Sequence, residues 1–147
     1  MWETLRAAVL ALAMIALGAL AAVASAASQA GVAPAPGHRT TRFSISFRTQ
    51  MATGNFSGVR RTDVVSVTGP QRGGCVASRS LDAGAQPAET LVRVQLGPGS
   101  GHRWCTGLFR GEVVQSQSVI CGPPQMIVCP QLVLAPQTIA TFSLRVR

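Results

Sequence analysis

From Arg42 onward the apolar residues alternate with polar ones at a period of two, the signature of strands with one buried face. In Arg42-Phe43-Ser44-Ile45-Ser46-Phe47-Arg48 the alternation is strict, which places Phe43, Ile45 and Phe47 on one side. β-Branched residues dominate Val59 to Thr68. Leu91 to Leu96 alternates again, with Val92, Val94 and Leu96 inward, and Cys75 to Leu81 is a weaker strand before a loop at residues 82–87. The longest segment, Trp104 to Gln115, carries Cys105, Phe109 and Val113 on one parity together with Gly107 and Gly111, small residues that suit close approach of a neighbouring layer. Short runs at 118–121, 126–129 and 131–134 are cut by prolines at 123, 124, 130 and 136 and read as edges or corners. Thr138 to Arg147 closes the chain with Ala140, Phe142, Leu144 and Val146 inward.

Glycine and proline turns separate these segments and no helical period of any length interrupts them. The expectation is an all-β fold, an antiparallel β-sandwich of seven to eight strands of immunoglobulin-like or fibronectin-like type, with a small barrel as the alternative. The absence of tyrosine removes one mark of the immunoglobulin pattern, the tyrosine corner.

Ahead of the strands, residues 1–26 have the form of a signal peptide. A short n-region with Arg6 precedes an apolar run from Ala7 to Val23 and the small-x-small site Ala24-Ser25-Ala26. The rival reading is an uncleaved anchor, but the run is short for a bilayer and rich in weakly apolar alanine. Residues 27–41, small and proline-containing, read as a flexible linker, and residues 42–147 as the sandwich domain. The product is expected to be secreted or extracytoplasmic, in contact with the cell envelope.

That compartment decides how the cysteines are read. Four of them, Cys75, Cys105, Cys121 and Cys129, lie in the exported part, and an even number there predicts two disulfides. Three pairings are open. Cys121–Cys129 is favoured by proximity around Gly122-Pro123-Pro124, leaving Cys75–Cys105 as the longer bridge. The His102-x-x-Cys105 spacing could open a zinc site, but close paired ligands such as C-x-x-C are missing and disulfides are preferred, so no metal and no cofactor are expected.

The run Trp104-Cys105-Thr106-Gly107-Leu108-Phe109-Arg110-Gly111-Glu112-Val113, the following cysteine pair and the terminal Thr141-Phe142-Ser143-Leu144-Arg145-Val146-Arg147 together resemble small exported immunoglobulin-like proteins of high-GC actinobacteria. The resemblance spans about residues 42–147. It implies fold and export and no activity.

Catalytic candidates are few. Ser100, His102 and Asp82 could be drawn as a triad, but no nucleophile elbow accompanies them and no two acids are close in sequence, so no catalytic residue and no enzymatic activity are expected. Charge carries more information. All thirteen basic residues are Arg, against five acids, for a net charge of +8. By parity Arg42 and Arg48 face outward on the first strand and Arg145 and Arg147 on the last. Were these strands side by side, the four would share a polyanion-binding face for anionic cell-wall polymers or phospholipid headgroups. Trp104 is the one plausible stacking platform, too few for dedicated nucleic-acid binding. The alternative is a protein-binding or inhibitor-like module acting through an edge strand or the loop between Cys121 and Cys129.

Overall fold

A computed structural model describes residues 27–50, 59–119 and 133–147. They form eight strands: β1 (Ser28–Gln29), β2 (Gly31–Ala33), β3 (Phe43–Arg48), β4 (Val59–Thr68), β5 (Ser78–Gly84), β6 (Leu91–Leu96), β7 (Gly107–Val119) and β8 (Val133–Val146). A five-stranded sheet has the order β1-β8-β7-β4-β5, and a three-stranded sheet the order β2-β3-β6. All pairs are antiparallel except β1 with β8. The predicted all-β sandwich is therefore present.

On β3, β6, β7 and β8 the buried residues are largely those the alternation selects, Val94 being only partly buried, and β4 adds Val65 and Val67. Phe43, Ile45 and Phe47 on β3 and Val92 and Leu96 on β6 form one wall of a single core, with Val65, Val67, Phe109, Val113, Ala140, Phe142, Leu144 and Val146 opposite. Gly111 is paired with Phe142 on β8, and the ring lies over the glycine so closely that an added Cβ would sit about 2.2 Å from Cζ. The small residue on the large-residue face thus seats an aromatic from the adjacent strand. One inward residue escapes strict alternation. A register shift between Val113 and Val114 opposite β8 leaves Ile139 beside Ala140, both fully buried, because a bulge turns an extra residue toward the core.

The N-terminal segment corrects the linker expectation. Residues 27–41 are stitched into both sheets: Ser28 and Gln29 run parallel to Ala140 and Thr141, Gly31 to Ala33 pair with Ser46 to Ser44, and Gly37 bridges Val146. The amide of Ala30 donates to the Thr141 carbonyl at 2.9 Å, and that of Gly37 to Arg145 at 2.9 Å. Backbone groups of small residues at the sheet edges make these bonds, so the segment needs no apolar periodicity to be ordered.

The two ends of the sandwich differ. At one end, the turns 69–77 and 97–106 are tied by the Cys75–Cys105 disulfide, by Val76 N–H to the Arg103 carbonyl (2.9 Å) and by Cys105 N–H to the Val76 carbonyl (3.1 Å). The second expected bridge, Cys121–Cys129, lies outside the described residues. At the other end buried Thr49 holds the 87–90 turn, its hydroxyl donating to the Pro87 carbonyl and accepting from the Thr90 amide.

Candidate functional site

The disulfide-tied end carries the candidate site. Trp104 is its foundation: fully buried, edge-on to Phe43 and Phe109 with ring centroids 6.3 and 5.5 Å away, it donates its indole N–H to the Thr41 carbonyl at 2.9 Å. It is core, not the exposed platform its parity allowed. Its backbone accepts from Arg39 Nε at 3.1 Å and donates to the Arg39 carbonyl at 2.7 Å. Residues 39–41, 75–77 and 103–105 are thereby locked together.

Over this base lie two adjoining surface grooves that share Pro98 and His102. The first, about 350 Å³, is lined by Thr40, Arg42, Gly99, Gly101 and Arg103 in addition. The second, about 400 Å³, has Arg72 and Arg79 on its walls beside Cys75 and Ser78. Among the described residues, no carboxylate lines either groove. The stem of Arg42 crosses Gly97, where an added Cβ would meet its Cγ at 3.1 Å. Gly99, at φ 96°, keeps the turn open beside the Arg79 guanidinium and the His102 ring, which an added Cβ would meet at 3.5 and 3.6 Å. Four exposed guanidinium groups on a hydrogen-bonded, disulfide-closed frame form an electropositive surface able to bind tetrahedral or planar oxyanions by charge-assisted hydrogen bonds.

The four arginines chosen by strand parity do not form one face. All four are exposed as expected, but β3 and β8 belong to different sheets, so Arg48 and Arg145 leave the molecule on opposite sides. Arg48 lies at the far end of β3, donating to the Glu89 carbonyl at 3.0 Å. Of the set only Arg42 lines the groove. The missed members, Arg72, Arg79 and Arg103, had a usable signal: Arg72 and Arg103 lie within three residues of Cys75 and Cys105, so the predicted bridge already implied their approach. The Ser100, His102, Asp82 set does not assemble either. The Asp82 carboxylate accepts from the Gly84 amide at 2.7 Å, part-way along β5, and is not among the groove residues with His102. Cys105 is consumed by the disulfide, which closes the His102–Cys105 zinc reading.

A second polar feature lies inside the sandwich toward the other end. Asp63 and Gln115 are paired across β4 and β7, with Arg61 and Gln117 the next pair on the same face. Asp63, Gln115 and Gln117 are buried, and among the described residues both Asp63 oxygens, Gln115 Nε2, Gln117 Oε1 and Arg61 Nε find no hydrogen-bond partner. Burial pushes the Asp63 carboxyl above its ordinary value. Gln115 and Arg61 pull it back and the Asp82 carboxylate adds to the rise. The Gln115 amide is near without forming a well-shaped hydrogen bond, so burial dominates.

A raised folded-state value means that the native state holds this proton more tightly than the unfolded chain does. Its favourable contribution is complete below the ordinary aspartate value of about 3.9 and is lost as pH rises through that value toward the raised one. Asp63→Asn, which puts a neutral amide where the carboxylate would be ionised, is therefore expected to stabilise the protein at pH 7 by about 1 kcal/mol, relieving the burial of the charge. The gain should vanish near pH 3. Thermal melts of both proteins across this range check it, and an equal difference at all pH values would show that Asp63 does not titrate in this window.

No protein-family model, curated protein or solved structure matches this chain. Among the described residues, no helix is long and apolar enough to cross a membrane, and no group of three or more His, Cys, Asp or Glu converges as a metal site.

Proposed function

We propose that this chain is an exported, non-enzymatic binding module of immunoglobulin-like type that associates with anionic polymers of the cell envelope through the arginine groove at its disulfide-closed end. The observation that carries the reading is the clustering of Arg42, Arg72, Arg79 and Arg103 around His102 with no acid on the groove walls among the described residues. The immunoglobulin-like assignment is supported by the topology: an N-terminal segment divided between two sheets, β3 paired with β6, and β7 between β4 and β8. Export is supported by the signal-like N-terminus and by a formed disulfide.

The test is co-sedimentation of the oxidised protein with isolated envelopes over a salt series. Exchanging the four groove arginines for glutamine is expected to weaken binding by about two to three orders of magnitude, at roughly 1 kcal/mol per arginine near an anionic surface. Exchange of Arg48, Arg145 and Arg147 should leave most of it. Binding unchanged by the groove variant would overturn the reading. A partner retained at high salt would favour the alternative, a protein-binding module. For that reading the structure offers β6, the open edge of the three-stranded sheet, with Leu91 57% exposed.

A further inference from the structure

The groove is divided, and its division narrows the ligand. Resting on the polyanion reading above, we propose that the two lobes hold two successive phosphates of one ligand, one between Arg42 and Arg103 and the next between Arg72 and Arg79. The favoured ligand class is a flexible, phosphate-rich chain without stacking bases.

Three observations lead there. Each lobe contributes two guanidinium groups. That supply suits a phosphate group, whose oxygens can accept from two forks at once, better than a lone surface charge. The lobes are contiguous, sharing Pro98 and His102, and Arg79 reaches the Gly99 turn that also borders the first lobe. An anion in one lobe is therefore a near neighbour of an anion in the other. Among the described residues neither lobe is lined by Phe or Trp: Trp104 lies wholly beneath the surface, and His102 is the one aromatic ring on the walls. Single-stranded nucleic acids gain much of their affinity from aromatic stacking, which this surface does not offer.

The frame holds the two lobes fixed relative to one another. Arg72 and Arg79 flank the turn that carries Cys75, while His102 and Arg103 precede Cys105, and the disulfide and the Val76–Trp104 bridge hold the two turns in one register. A ligand with adjacent phosphates meets a preset pair of subsites, so the second contact is made at high effective concentration.

The experiment is calorimetric titration of the oxidised protein with inorganic phosphate, tripolyphosphate, polygalacturonate and an oligothymidylate, at two salt concentrations. Trp104 fluorescence monitors the fold. Tripolyphosphate is expected to bind at least about tenfold more tightly than inorganic phosphate, the gain of linking two contacts. That advantage should disappear in either single-lobe variant, Arg42→Gln with Arg103→Gln or Arg72→Gln with Arg79→Gln. It should survive Arg48→Gln with Arg93→Gln, which changes charge equally outside the groove.

Equal affinity for phosphate and tripolyphosphate would overturn the two-subsite inference while leaving polyanion binding intact. Persistence of the advantage in both single-lobe variants would also overturn it. Polygalacturonate binding as tightly as tripolyphosphate would overturn the choice of phosphate, and tighter binding of the oligothymidylate would overturn the exclusion of bases. Absence of binding to every anion would instead remove the parent proposal.

Discussion

Replacing Cys75 and Cys105 with alanine is expected to lower stability by roughly 3.7 kcal/mol, the chain-entropy value for a bridge spanning 30 positions. Serine at the same sites should cost more, because Cys105 is fully buried and a hydroxyl placed there would need a partner. The loss matters to a domain of this size, whose whole stability is on the order of 5–15 kcal/mol. It should also be felt at the surface. The bridge joins the turn bearing Arg72 and Arg79 to the turn bearing His102 and Arg103, so its removal leaves the register of the two lobes to the backbone bonds of Val76 with Arg103 and Cys105. Denaturant unfolding of the oxidised, reduced and alanine forms measures the first effect, and envelope binding by the alanine form measures the second. An unchanged unfolding midpoint would show that the backbone bonds suffice.

Trp104→Ala is expected to cost about 3–5 kcal/mol, the range for deleting a fully buried large aromatic. The side chain has no exposed surface, packs edge-on against Phe43 of one sheet and Phe109 of the other, and satisfies the Thr41 carbonyl. Its removal opens a cavity at the junction of the two sheets and strands a carbonyl inside. Trp104→Phe separates the contributions. It retains much of the packing and loses the indole hydrogen bond, for an expected loss of about 1–2 kcal/mol. Far-ultraviolet circular dichroism under denaturant gives both values. If the alanine variant were no less stable than the phenylalanine one, packing at this site would not be a main support of the fold. Because Trp104 lies beneath the groove without lining it, the phenylalanine protein should keep its anion affinity.

Much of the architecture follows from alternation. Phe43, Ile45 and Phe47, or Ala140, Phe142, Leu144 and Val146, can all be buried only if their strands present one face to a core. Gly111, lying on the large-residue face, suited close approach of the facing sheet, but the space is filled by Phe142 from the adjacent strand of the same sheet. The Cys75–Cys105 bridge is the pairing left over once Cys121–Cys129 is favoured by proximity, one of three that the even cysteine count allowed. Strand limits were less so: β7 begins three residues after the predicted segment and runs four beyond it, and β5 extends through Asp82 to Gly84, residues with turn chemistry that an edge strand tolerates.

The sequence by itself determined an all-β chain, most of the inward residues of the strictly alternating strands and a strong positive charge, because each depends on local periodicity, residue chemistry or a simple count. It did not determine where the N-terminal segment goes, since that segment is held by backbone hydrogen bonds that no side-chain pattern announces. Nor did it determine which arginines meet. Parity tells which side of its own sheet a residue leaves from, but not which sheet its strand joins. Only the tertiary structure, by placing β3 and β8 in different sheets and drawing two turns together over Trp104, separated Arg48 from Arg145 and Arg147 and gathered Arg42, Arg72, Arg79 and Arg103 around His102.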